Sequence, residues 1–298
     1  MTTTKLTFIH ALTPLHAGTG QGIGVIDLPI AREKATNIPY LPSSSLKGSL
    51  RDSCEDKATR EKVFGPDTKD ITNDNAYAGS AVFSDQRLLL LPVRALRGTF
   101  AWATSPYVLR RFRRDAESAG FDMSALPDAA LASHTECLIA SQGSVLTYNG
   151  GQNLYLEDFD LMGKPDAAVN SWAKFIGEKV FDDDKWRSAL KERMCILHDD
   201  VFNFLLEHGT EITARIRLEE KTKTAARGAL WYEEALPAET ILSGLLVAVR
   251  GKAKPEEVFS TISGILDRHK AIQLGGKATV GRGLCSIRLD MGEKGAEQ

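Results

Sequence analysis

The sequence predicts an α+β protein, on three observations. The N-terminal part reads as strands with one helix. The C-terminal part reads as a β-α-β-β unit. Between them residues 211–232 alternate apolar and polar, the signature of a hairpin.

The elements follow in order. Residues 5–12, KLTFIHAL, form a strand that Pro14 breaks. VIDLPI, residues 25–30, is a short strand or a sheet edge, because a proline pushes the residue before it toward extended geometry. A helix starts near Ser45, with the serines as N-cap candidates and Leu46 and Leu50 on one face, and ends at Phe64, Gly65 and Pro66. The stretch up to Gly79 is a polar loop. AVFSDQRLLLLPVRAL gives two strands around a tight turn at Ser84, Asp85 and Gln86. A helix begins near Ser105. Residues 120–179 read as an insertion of mixed structure, and residues 184–207 as helix broken near His198, Asp199 and Asp200, the two acids serving as caps. ITARIRL, a polar turn at residues 219–223 and GALWY make the hairpin. ETILSGLLVAVR is a strand, and residues 255–269 form a helix opened by Pro255, with Val258, Phe259, Ile262, Ile265 and Leu266 on one face. AIQLGG and LCSIRLDM are strands around a glycine-rich loop.

This order suggests a ferredoxin-like, RRM-type core with large insertions. We expect one domain over residues 1–298. Its core covers approximately residues 1–100 and 239–298, with a helical insertion at approximately 105–180 and a projecting hairpin at approximately 210–237.

Composition excludes several classes. The 37 basic and 39 acidic residues nearly cancel, so any polyanion must be met by a local basic track on a nearly neutral body. The four cysteines, Cys54, Cys137, Cys195 and Cys285, form no CxxC pair, which suits reduced thiols in the cytoplasm and argues against a cysteine zinc site. No apolar run is long enough to span a bilayer, and the start, MTTTKLTF, lacks the pattern of a signal peptide, so we expect a cytoplasmic protein.

Residues 15–52 hold the densest chemistry. Gly18, Gly20, Gly22 and Gly24 alternate with larger residues, which leaves backbone N–H groups unshielded; the spacing is not that of a dinucleotide fingerprint. Asp27 follows this loop and His16 lies eleven residues before it, so the loop can fold the two together. Asp27 suits general acid–base work or a cation, but also an ordinary turn. Ser44 and Ser45 open a helix whose Lys47 and Arg51 stand four residues apart, and a helix start beside two cations suits an anion. The loop with Gly275, Gly276, Lys277 and Arg282 is no Walker motif yet suits a phosphate backbone. Arg215 and Arg217 share one face of a hairpin strand, with Lys221, Lys223 and Arg227 near the tip; Glu233 and Glu234 lie at its base. Seven arginines between Arg87 and Arg114, interleaved with Phe100, Trp102, Tyr107 and Phe112, fit either single-stranded nucleic acid or a solvated helix face meeting an acidic neighbour. The run Asp182, Asp183 and Asp184 fits that neighbour contact or a helix cap.

HAGTG, then DLPIARE and PSSSLKGSLR, together resemble the N-terminal signature of the RAMP superfamily. The likeness extends through GALWYEEALP to LGGKATVGRG. More narrowly, the chain resembles the repeated backbone subunit of type III-B CRISPR RNA-guided effector complexes. The resemblance implies that the protein binds guide RNA and stacks with copies of itself and with other subunits in a helical filament. It also implies an endoribonuclease that cuts complementary target RNA, with a divalent cation, Mg²⁺ or Mn²⁺, and attack by the ribose 2′-OH. Asp27 would take a proton or hold the metal, His16 and Glu233 or Glu234 would assist, and Lys47, Arg51, Lys277 and Arg282 would hold RNA backbone. The hairpin would press between bases. A non-catalytic guide-binding scaffold and a guide-processing ribonuclease of the same superfamily remain open.

Overall fold

The computed structural model describes residues 3–22, 25–67, 77–220, 222 and 224–292, with backbone alone at 225, 227 and 228. The turn lysines Lys221 and Lys223, the Arg227 side chain and Gly24 therefore lie outside the described residues, as does most of the polar loop before Gly79.

The chain opens with β1 (Thr3–Ala11) and β2 (Tyr40–Leu41), followed by helices α1 (Ser43–Asp52) and α2 (Lys57–Phe64). Strands β3 (Ala81–Phe83), β4 (Gln86–Arg94) and β5 (Phe100–Thr104) lead to α3 (Pro106–Ser118). Then come β6 (Glu136–Ile139), β7 (Asn153–Leu156), β8 (Phe159–Pro165), α4 (Ala167–Val180), α5 (Asp184–Arg193), β9 (Met194–Leu197) and α6 (Asp199–His208). The hairpin is β10 (Glu211–Leu218) with β11 (Ala225–Ala235); β12 (Ile241–Ala248), α7 (Pro255–Arg268), β13 (Ile272–Gln273) and β14 (Leu284–Asp290) close the chain.

Twelve strands form one mixed sheet in the order β13-β14-β1-β12-β4-β5-β9-β6-β8-β7, with β2 on β4 and β3 on β12; β10 and β11 stand apart as a two-stranded sheet. At its heart β1 pairs antiparallel with both β12 and β14, and β12 with β4. Both faces of β1 are covered. Lys5 reaches the Phe259 ring of α7 at 4.7 Å, while the Phe8 ring meets Phe112 of α3 at 5.8 Å. Residues of opposite parity point to opposite faces, so α7 and α3 sandwich the sheet. That is why Leu6, Phe8 and Ile9 in succession along β1 can all be buried.

Several expectations need correction. The first helix is two: it breaks after Asp52, and Asp56 caps the second by accepting from the Thr59 amide at 2.8 Å. Pro42, not a serine, occupies the N-cap of α1, without a side-chain cap bond, so Ser43, Ser44 and Ser45 lie inside the first turn. The stretch at Ser84 and Asp85 is not a hairpin turn. β3 and β4 both run along β12 as one interrupted strand, because Ser84 stays in register, its amide donating to the Leu245 carbonyl. The segment between α5 and α6 is the strand β9, buried in mid-sheet; its four-residue apolar run, MCIL, has no period that separates helix from strand. Finally, the middle of the chain contributes β6, β7 and β8 to the sheet's edge, so it is not mainly helical. Asp183 caps α5, and Asp199 accepts from the Tyr107 amide at 2.9 Å, capping α3 rather than its own helix.

Candidate active site at the hairpin root

The loop after β1 has no sheet of its own. Its two legs are stitched to each other and to the foot of the hairpin. Ala31 N–H donates to Ala17 O at 2.8 Å, and Leu15 and Leu236 exchange amide bonds at 2.8 and 2.9 Å. Leu28 N–H donates to Tyr232 O at 3.1 Å, and Glu234 N–H to Leu28 O at 3.0 Å. Residues 25–30 thus make isolated bridges along an edge instead of a full strand.

Asp27 sits where this stitching begins. Its Oδ2 accepts from the Tyr232 amide at 2.8 Å, which fixes the carboxylate. The side chain is exposed and lines an open cleft of about 730 Å³ with Gln21, Leu28, Leu230, Trp231 and Lys277.

Glu233 and Glu234 are neighbours on a strand and must point to opposite sides. Both are only 3% exposed. Glu233 lies behind the cleft residues Lys277 and Trp231: it accepts from Lys277 Nζ at 2.7 Å, Trp231 Nε1 at 2.8 Å and Arg215 Nε at 3.4 Å. Burial works to raise its carboxyl, but hydrogen bonds from Lys277 and Trp231 and the charges of Lys277 and Arg215 outweigh it and hold Glu233 below the ordinary Glu value. Glu234 points inward and accepts from Arg32 Nη2 at 2.6 Å, Thr210 Oγ1 at 2.9 Å and the Ile30 amide at 3.0 Å. Arg32 also donates to Leu206 O at 2.8 Å, so this carboxylate ties the loop, the hairpin and the end of α6 together.

His16 is 6% exposed, with Nδ1 at 2.6 Å from the Glu234 carbonyl. A carbonyl only accepts, so Nδ1 carries the hydrogen. The ring lies against Gly18 and Gly276: a Cβ on Gly18 would stand 2.5 Å from Nε2, and one on Gly276 would stand 3.1 Å from Cδ2. Glycine at these two places is what lets an imidazole fit beneath both loops.

The C-terminal loop is shaped by Gly275, Gly281 and Gly283 in the left-handed region, and Lys277 joins them at φ 67°. Gly275 N–H donates to Ser45 Oγ at 3.3 Å, which joins this loop to the start of α1. Arg282 is 8% exposed and reaches Thr213 at 2.9 Å and Glu211 at 3.4 Å on β10. Arg51 donates to Gly65 O and pairs with Asp67 at 2.7 Å. Ser44 is exposed and Lys47 half-buried; burial and then the nearby Arg51 charge lower the Lys47 pKa. Arg217 is exposed at a register shift in the hairpin. The structure thus gathers Asp27, His16, Glu233, Glu234, Gly275, Gly276, Lys277, Arg282 and Arg215 at one hairpin root. Ser45 touches that root through Gly275, while Arg51 turns away to Asp67.

Trp231 and Arg32 belong to this site, and sequence reasoning assigned neither. Trp231 was legible: it lies two residues before Glu233, hence on the same strand face. Arg32 stands in the DLPIARE run, but its pairing was not legible, because its carboxylate partner is 202 residues away.

The arginines around α3 are turned to other work. Arg111 makes a two-pronged pair with Glu33 at 2.6 and 2.7 Å, Arg87 meets Asp115 at 2.6 Å, and Arg113 meets Asp128 at 3.0 Å. Trp102 and Phe112 are buried. Asp182 pairs with Arg288 of the same chain.

The family model of the RAMP superfamily matches residues 8–286. The chain belongs to the RAMP superfamily. Within it, this RAMP protein is 37% identical to the CRISPR system Cmr endoribonuclease Cmr4 of Pyrococcus furiosus, over 94% of each chain. It is 25% identical to the CMR subunit Cmr4 of Saccharolobus solfataricus, over 94% of each. Among solved structures it superposes on oligomeric Cmr4 from P. furiosus with a TM-score of 0.74 at 30% identity, covering 97% of this chain and 98% of that one. The α+β architecture, with its large mixed sheet, is therefore that of RAMP proteins. Among the described residues no helix is long and apolar enough to cross a membrane.

Proposed function

We propose that this RAMP protein is a repeated backbone subunit of a type III-B CRISPR effector complex, which binds guide RNA and cuts the complementary target RNA. One observation carries the reading: an exposed carboxylate, Asp27, fixed by a backbone amide in an open cleft beside Trp231 and Lys277. The names of the relatives, a Cmr endoribonuclease and an oligomeric Cmr4, support it. We read the four central strands, in the order β14-β1-β12-β4 with α1 and α7 between them in the chain, as a ferredoxin-like core in one domain. The middle of the chain and the hairpin are then insertions into that core.

In this reading RNA backbone lies across the Gly275–Gly276 turn and the start of α1, with Ser44, Ser45, Lys47 and Lys277 toward phosphates and Arg215 and Arg217 along the hairpin. Asp27 takes the proton from a ribose 2′-OH. The oxygen attacks the adjacent phosphorus, the bond to the 5′ oxygen breaks, that oxygen takes a proton from water, and the products are a 2′,3′-cyclic phosphate and a 5′-hydroxyl. Glu233 is ionised and engaged, so it positions Lys277 near the developing charge instead of moving a proton. Glu234 and His16 hold the loop that carries Asp27. Arg282 braces the glycine-rich loop against β10, and Arg51 ties α1 to residues 65–67.

A divalent cation fits this donor set in a limited way. Among the described residues no three His, Cys, Asp or Glu ligand atoms gather around Asp27. A hard cation there would share Asp27 with substrate phosphate oxygens and water, as Mg²⁺ often does. It would supply charge neutralisation at the phosphate.

The test is Asp27→Ala in the assembled complex, incubated with guide-complementary RNA in Mg²⁺ or EDTA. Loss of cleavage with guide binding and assembly intact supports the reading. Undiminished cleavage overturns the role of Asp27, and a wild-type complex that cuts nothing makes the subunit a scaffold.

A further inference from the structure

Away from the hairpin root, three potential ligands meet at the opposite end of α6. His134 comes from the segment before β6, His198 from the N-cap of α6, and Asp200 from its first turn. Asp200 Oδ2 lies 3.7 Å from His134 Nδ1 and 3.6 Å from His198 Nδ1. One ligand atom from each of the three lies within 4.8 Å of the others. The imidazole rings are 4.0 Å apart, centre to centre. The sequence gives no hint of this, since no motif joins His134 to His198.

We infer that this cluster is a site for a borderline transition-metal ion, Zn²⁺ above all. Two imidazoles and one carboxylate are ligands such ions prefer; Mg²⁺ prefers oxygen alone. Zinc ligands at about 2.0–2.1 Å in tetrahedral array stand about 3.3 Å from one another. The N–O separations here exceed that by only a few tenths of an ångström. His134 and Asp200 are exposed, so rotation of their side chains closes the gap without backbone movement. His198 Nδ1 receives the Asp200 amide at 3.3 Å, a long hydrogen bond that a metal replaces at little cost. Three protein ligands leave at least one position for water.

Such an ion would clip the segment before β6 onto α6. That segment is also held by Arg113, which donates to the Met123 and Leu126 carbonyls and to Asp128, by Trp172 Nε1, which donates to Pro127 O, and by the Met162 amide, which donates to Thr135 O at 2.8 Å. The site is separate from Asp27. α6 meets the Glu234 network near its C-terminal end through Leu206 O and Arg32, about 9–12 Å along the helix from the clip.

The experiment uses the full chain without a histidine tag, stripped with a chelator, and titrated with ZnCl₂ by calorimetry and with CoCl₂ by visible absorption. One ion per chain is expected, with a melting temperature that rises with Zn²⁺, unaffected by millimolar Mg²⁺. His134→Ala and Asp200→Asn should each weaken binding by about tenfold or more while the metal-free melting temperature stays put. His198→Asn keeps a capping side chain and should lose the metal too. Asp27→Ala should retain the full zinc stoichiometry. Equal zinc affinity in wild type and His134→Ala, or no cobalt bands and no thermal shift in wild type, overturns the inference.

Discussion

Between Arg87 and Arg114 the sequence packs seven arginines, and five of them meet acids within the same chain: Arg87 and Arg114 on Asp115, Arg111 on Glu33, Arg113 on Asp128 and Arg110 near Asp199. At the hairpin root the cations are fewer, yet Lys277 and Arg215 gather on Glu233 at the rim of an open cleft. Much of the charge that is dense along the sequence is therefore paired within the chain. Acids distant in the chain neutralise the dense stretch and put it to work holding α3 in place. The sparse set is placed differently: Lys277 lines the open cleft with Asp27, and Glu233 draws Arg215 toward it.

The comparison can be broken most sharply at Asp27. Asp27→Ala should lower target cleavage by the complex on the order of 10²–10⁴-fold, with guide binding unchanged, as gel assays of cleavage and filter binding would reveal. Next comes the carboxylate behind it. Glu234→Ala leaves Arg32 without its ion pair in a largely buried place and should cost about 3–5 kcal/mol in denaturant unfolding. A paired test of the two basic regions follows. Arg111→Ala should cost about 1–3 kcal/mol of stability and leave RNA affinity alone, whereas Lys277→Ala should weaken RNA binding and reduce its salt slope by about one. If Arg111→Ala instead weakens RNA binding as much as Lys277→Ala, the contrast fails.

Acid should act on both regions. Hydrogen bonding from Arg111 comes first among the causes that lower Glu33, and Glu233 is lowered despite its burial. A carboxyl whose folded pKa lies below its unfolded value contributes stability above the ordinary Glu range, and loses it as pH falls through the folded value. Unfolding free energy should therefore decline on acidification below that range, and less so in Lys277→Ala, as urea melts across pH would record. The smallest effect belongs to Arg114→Ala. Its side chain is 63% exposed, and the change should stay within about 0.5 kcal/mol in the same melts.

Much of the fold could be read in the residues. β1, the hairpin, β12, α7 and β14 stand where alternation, Pro255 and the apolar spacing put them. The misreadings share a cause: local signals do not report long-range partners. Ser84 and Asp85 have turn chemistry, yet β12 keeps both flanking strands in line. MCIL lies between two helices, yet the sheet takes it as a strand. At the site, glycine spacing is a local fact that points to Lys277, whereas the roles of Asp27 and Glu233 rest on the family resemblance carried by DLPIARE and GALWYEEALP. That Glu234 turns inward, and that His16 lies beneath Gly18 and Gly276, could not be read locally, since Arg32, Thr210 and Gly276 reach them only through the tertiary fold.

The segment bearing Asp27 borrows its backbone partners from the foot of the hairpin. The acid is in effect bolted to a lever. A strand of nucleic acid leaning on the arms would shift Tyr232, and Tyr232 holds the carboxylate through its own amide. Under the proposed function grip and cut would be geared together, so a guide–target pairing that fails to seat the arms would also leave the acid out of line with its phosphate.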